Sequence, residues 1–175
     1  GTNGWYISNV KVSASSSDPL TGSGIETFSY ILNGASENPY TAALTIPDGM
    51  HTVKLTAKDY AGLTYAMQQS IKVDTVRPFL TVNTSLPNWI KGTVALTGTS
   101  TDNGSGISKV EISVNGGQTW QTVTGTTAWT YNWDTGTGAN GPHTVLVRAT
   151  DNAGLSTEQT IQVAVDNTAP GVDMP

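Results

Sequence analysis

Apolar residues recur at every second position through most of this chain. Val10 and Val12, Tyr30 and Leu32, Leu44 and Ile46, Val53, Leu55 and Ala57, and Ile71 and Val73 follow that spacing. It returns in Val94 and Leu96, in Val110, Ile112 and Val114, in Val145, Val147 and Ala149, and in Ile161, Val163 and Val165. Successive side chains of a strand point to opposite faces, so the spacing predicts strands with one buried face. No segment sustains a helical period. Asn-Gly pairs at 33, 103, 115 and 140, and Pro47-Asp48-Gly49, separate the runs and offer the positive or fixed φ of tight turns. Strands that bury one face need a second sheet to cover it, which predicts a β-sandwich.

The pattern is written twice. Trp5 and Trp89 stand 84 residues apart, as do Asp18 and Asp102. "GSGI" begins at Gly22 and again at Gly104, and Asn33-Gly34 matches Asn115-Gly116, both at a spacing of 82. "HTVKLTAKDYAGLT" from His51 matches "HTVLVRATDNAGLS" from His143 at a spacing of 92, which the exits "VDTVRP" and "VDNTAP" keep. The second copy is therefore ten residues longer between its Asn-Gly turn and its histidine. Each copy has the size of one small all-β domain. The expected division is residues 1–76 and 77–170, with 171–175 opening a following linker or repeat. Copy two is expected to start with a strand over residues 79–84, whereas copy one starts at "NGWYIS", the counterpart of "PNWIKG". The first strand of copy one is expected to be missing or displaced, and the chain to be a piece of a longer array.

The stretches "DNGSGI", "HTVLVRATDNAGLST" and "VDNTAP" resemble bacterial immunoglobulin-like domains, tandem modules that are also compared with fibronectin type III repeats. The resemblance spans both copies. It implies an all-β fold of two tandem immunoglobulin-like β-sandwich domains, in a secreted or surface-anchored bacterial protein. Copy one departs from the pattern with "AKDYAGLTY" and "VDTVRP".

In a seven-stranded sandwich of that topology, Asp18 and Asp102 fall between the second and third strands, and Asp59 and Asp151 end the sixth. Those two loops share the end of the sandwich where the chain enters. Asp74 ends the last strand of copy one, so stacking the copies is expected to bring it towards Asp102 and Asp151. Three converging carboxylates repel unless neutralised, and calcium takes six to eight oxygen ligands of this kind. An interdomain calcium held by Asp74, Asp102 and Asp151, with Asn103 or Asn152 assisting, is the candidate metal site and calcium the one candidate cofactor. The competing reading is structural: an aspartate before x-Ala-Gly or x-Gly-Ser-Gly accepts backbone N–H bonds and shapes an Asx-turn. The turn is the weightier of the two.

Trp129, Tyr131 and Trp133 alternate in "AWTYNWD" and form a candidate ligand platform, since aromatic rings stack on sugars. Thr130, Asn132 and Asp134 occupy the opposite face, so the alternation assigns the aromatics to the core. His51 and His143 hold equivalent places before a strand, with no Ser-His-Asp or metal-ligand spacing around them.

Composition narrows the partners. Charged residues make up 12% of the chain and the formal charge is −5, so a nucleic-acid backbone would be repelled. There is no cysteine, which excludes disulfides and thiolate chemistry. No apolar run reaches membrane-spanning length, and "GTNGWYIS" has no signal-peptide pattern. The reading is a non-catalytic spacer, presentation or adhesion module of a larger extracellular bacterial multidomain protein. Its partners would be neighbouring domains of the same polypeptide and a protein or glycan ligand. The alternative is a carbohydrate-binding accessory module of a secreted polysaccharide-active enzyme.

Overall fold

The computed structural model describes residues 1–172, so the last three of the expected tail 171–175 lie outside the described residues. The chain divides into two compact units, Gly1–Thr75 and Val76–Pro175. The first contains β1 (Trp5–Tyr6), β2 (Val10–Val12), β3 (Ile25–Leu32), β4 (Asn38–Pro39), β5 (Leu44–Ile46), β6 (Gly49–Asp59) and β7 (Thr64–Val73). One sheet has the order β1-β7-β6-β3-β4 and the other pairs β2 with β5.

The second unit contains β8 (Phe79–Val82), β9 (Trp89–Ile90), β10 (Thr93–Thr101), β11 (Ile107–Ser113), β12 (Gln121–Thr122), β13 (Ala128–Asp134), β14 (Gly141–Asp151) and β15 (Ser156–Val165). Its sheets have the orders β12-β11-β14-β15-β9 and β13-β10-β8. Strands β9 to β15 therefore repeat β1 to β7 one for one, down to the irregular register after Ile25 in β3 and after Ile107 in β11. Strand β8 has no counterpart among the described residues of the first unit.

The two-residue alternation fixes which residues meet inside. In the second domain Leu96 from one sheet packs with Val110, Ile112, Val145 and Val147 from the other, all nearly or wholly excluded from solvent. Trp129 and Trp133 join them from β13. The first domain buries Ile46 against Val53, Leu55, Ile71 and Val73, with Phe28, Tyr30 and Tyr40 packed beside them. The rings of Phe28 and Tyr40 lie 5.0 Å apart and pack beside this cluster.

Candidate functional site

The Asp102 loop joins β10 to β11, and Asp151 is the last residue of β14. The register places Ile107 opposite Asp151, and Asn152 donates its backbone N–H to the Gly106 carbonyl, so sheet pairing carries the two loops to the same end. Asp102 Oδ1 accepts from Gly106 N at 2.7 Å and from Gly104 N at 3.1 Å. Gly106 takes φ of 79°, the left-handed conformation that lets its N–H turn back to the carboxylate. Asp151 Oδ1 accepts from Leu155 N at 2.9 Å and holds the Ala-Gly turn after β14 in the same way. Ser105 Oγ accepts from Ala153 N at 3.1 Å and ties one loop to the other.

These bonds use one oxygen of each carboxylate. Asp102 Oδ2 is buried with no hydrogen-bond partner. Asp151 as a whole is 2% exposed, and one carboxylate oxygen of each residue lies within 4.8 Å of the other's. Two unit charges at that separation repel by about 3 kcal/mol at an effective dielectric of about 20. A divalent cation would reverse the sign of that interaction, and the donors are hard oxygens of the type calcium takes. The pair fits such an ion. Asn152 spends its amide group on the Ser105 and Gly106 carbonyls, at 2.9 and 3.1 Å, and Asn103 is exposed.

The first domain repeats the loops. Asp18 Oδ2 accepts from Gly24 N at 2.7 Å, Asp59 Oδ1 from Leu63 N at 2.8 Å, and Ser23 Oγ from Ala61 N at 3.0 Å. Asp74 follows β7, is fully buried, and donates its backbone N–H to Tyr6 O at 2.8 Å. Its counterpart Asp166 donates to Ile90 O at 3.0 Å and accepts from Thr168 N at 2.9 Å. The turn role expected of the loop aspartates is thus present in both copies. In the second it coexists with a carboxylate pair suited to a cation.

Of the aromatic triplet, Trp129 is 2% and Trp133 5% exposed, both in the core, while Tyr131 is half-buried and donates its hydroxyl to Gln121. Trp133 meets the His143 ring edge-on at 5.3 Å. That ring also spans Val114 O and Ala139 O, and His51 in the first domain bonds Asn33 and Asp48 O. Both histidines hold the turns around them.

A cluster unmarked in the sequence sits on the outer face of the β11–β14 pair. The Arg148 guanidinium stacks 4.0 Å from the Trp120 ring and bonds Glu111 at 3.1 Å, while Lys109 bonds Glu111 at 2.9 Å. Burial raises the Glu111 pKa, yet the hydrogen bonds and charges of Lys109 and Arg148 together hold it below the usual carboxylate range. The register that sets Glu111 opposite Arg148 creates this cluster.

The bacterial Ig domain family matches residues 83–147. Comparison with curated proteins finds no match. Among solved structures, the chain is similar to the fibronectin(III)-like modules of CbhA from Clostridium thermocellum, at 17% identity and a TM-score of 0.47, over 99% of this chain and 95% of that one. It is also similar to an endo-β-1,4-mannanase from Thermotoga petrophila, at 17% identity and a TM-score of 0.46, over 54% of this chain and 21% of that one. A third is SGBP-B of the Bacteroides ovatus mixed-linkage glucan utilization locus, at 12% identity and a TM-score of 0.28, over 81% of this chain and 37% of that one. The matched residues run from the end of β8 into β14, within the second domain. No helix is long and apolar enough to cross a membrane among the described residues.

Proposed function

We propose that this chain, whose second sandwich matches the bacterial Ig domain family over residues 83–147 and whose first repeats its strand order, is a spacer and presentation module of a larger extracellular bacterial protein. One observation carries the reading. The polar residues that both copies share, Asp18 and Asp102, Asp59 and Asp151, Ser23 and Ser105, His51 and His143, each hold their own loops. Groups spent on turns serve the scaffold and leave little for turnover of a substrate. The partners are then neighbouring domains of the same polypeptide, with a protein ligand as a further contact. Screening the chain against soluble and insoluble polysaccharides is expected to give no saturable binding. Saturable binding to glucan or mannan would replace this reading with that of a carbohydrate-binding module.

Calcium belongs to the same proposal. Asp102 and Asp151 supply the first two ligands, and Asp74 is the third by the expectation drawn from the repeat. A bound cation would cancel the charge on the loop end and stiffen the module. An ion that binds only the folded state raises its stability. Calcium is therefore expected to raise the melting temperature over that in chelator, and Asp102→Asn to abolish the rise. Loss of the rise in Asp74→Asn as well would complete the ligand set; an equal melting temperature with calcium and chelator would end the proposal.

A further inference from the structure

Four Asn-Gly pairs, at 33, 103, 115 and 140, carry the same local chemistry into four different surroundings. Glycine has no Cβ to shield its backbone nitrogen, so that nitrogen can attack the Cγ of the asparagine before it. The attack requires the side-chain amide to swing onto the main chain. An amide tied at both its oxygen and its nitrogen must first break those bonds.

Three of the four are tied in this way. Asn33 Oδ1 accepts from Thr52 N at 2.9 Å, and its Nδ2 bonds His51 Nδ1 at 3.0 Å. Asn115 Oδ1 accepts from Thr119 N at 2.9 Å, and its Nδ2 donates to Thr119 Oγ1 at 2.8 Å. Asn140 Oδ1 accepts from Asn167 N at 3.0 Å, and its Nδ2 donates to Thr168 Oγ1 at 2.6 Å. The nitrogen that would attack is also held in two of them: Gly116 N donates to Thr144 O at 2.9 Å, and Gly141 pairs with Val165 in the sheet. Asn103 differs. It is exposed in the bend between β10 and β11, and its side chain has no hydrogen-bond partner among the described residues.

We propose that Asn103 is a site of spontaneous deamidation, the Asn-Gly pair that this fold leaves reactive. Gly104 N attacks Asn103 Cγ: a bond forms between them, the Cγ–Nδ2 bond breaks, and Nδ2 leaves as ammonia with the proton that Gly104 N gives up. Water then opens the cyclic imide at either carbonyl and leaves aspartate or isoaspartate. Both products place a new carboxylate beside Asp102 and make the formal charge of −5 one unit more negative. Isoaspartate also adds a methylene to the main chain between residues 103 and 104. That draws Gly104 N and Gly106 N away from Asp102 Oδ1, which they share at 3.1 and 2.7 Å, so the loop loosens as the chain ages. The inference goes beyond the spacer reading and stands whether or not calcium binds.

The test is to incubate the whole chain in mildly alkaline buffer, folded and in urea, and to follow each pair by mass spectrometry of tryptic peptides. Cleavage after Lys91 and Lys109 yields residues 92–109, in which Asn103 is the sole asparagine. In the folded chain that peptide is expected to exchange amide for acid at least about tenfold faster than the peptides holding the other three pairs, a barrier difference of about 1.4 kcal/mol. In urea the four rates are expected to converge, because the bonds that tie Asn33, Asn115 and Asn140 are gone. Gly104→Ala, which sets a side chain beside the attacking nitrogen, is expected to slow conversion at 103 by about tenfold and leave the other pairs unchanged. Labelling by an isoaspartate methyltransferase is expected on residues 92–109 first. Conversion at 33, 115 or 140 as fast as at 103 in the folded chain overturns the proposal. A ratio that urea leaves unchanged overturns it too, since neighbouring sequence and not the fold would then set the rates.

Discussion

The two domains share a strand order and differ in what closes the sandwich. Among the described residues, the second buries a cluster of thirteen apolar side chains and the first a cluster of five. The register explains much of the gap. Trp129 lies across Gly98, where an added Cβ would meet the Trp129 ring at 2.2 Å and the Thr81 carbonyl at 2.1 Å. Glycine is thus the condition for both the tryptophan and β8 to approach. The first domain has Ala14 at the glycine position, and the tryptophan position falls to Ala42. One large ring, and the glycine that lets it approach, therefore account for part of the difference between the two cores. Equal topology does not imply equal burial.

The comparison can be broken most forcefully at Trp129. Trp129→Ala is expected to cost the second domain about 3–5 kcal/mol in chemical denaturation, whereas Ala42→Ser in the first should stay within about 0.5 kcal/mol. Equal small effects would mean that the ring does not organise the core. Next comes the glycine. Gly98→Ala is expected to cost about 1–3 kcal/mol through overpacking, and the reciprocal Ala14→Gly about 0.5–1 kcal/mol through chain entropy alone. Both are readable as shifts of the denaturation midpoint of the domain concerned.

A smaller effect tests what the copies share. Asp59→Ala removes the carboxylate that accepts from Leu63 N and is expected to cost about 1 kcal/mol, a loss that added calcium does not change. The smallest sharpens a difference: Glu111 has Ser29 as its counterpart, which does not titrate in this range. The folded pKa of Glu111 is depressed, so its contribution is fully present above the unfolded value of about 4.3. It is lost as the pH falls through the lower folded value. Wild type and Glu111→Gln are expected to differ by less than about 1 kcal/mol at neutral pH and to converge in acid, in the second domain's transition alone.

The period-two runs made the main strands legible, and the repeat made the loop aspartates legible, because a carboxylate at the same parity in two copies must serve something both copies have. Asp102 and Asp151 were placed together by topology alone. The core role of Trp129 and Trp133 followed from the polar residues between them. Other features depend on which strand faces which. Nothing in "GTSTD" says that Gly98 lies beneath Trp129, or that Leu80 packs into the same core. Arg148 is far in sequence from Glu111 and Trp120, and it meets Glu111 only through the pairing of β11 with β14. The short strands β1 and β9 escaped the pattern because two residues carry no period.

Those short strands bear on how the first domain would carry load. Strands β1 and β7 run parallel, with Trp5 opposite Lys72 and Tyr6 opposite Val73. The Asp74 N–H to Tyr6 O bond extends the pairing at one end. A pull on the N-terminal end of β1 and the C-terminal end of β7 would draw these strands past each other along their length, so their bonds would share the force and rupture as a group instead of unzipping one at a time. A patch only two residues wide would thereby act as a mechanical clamp.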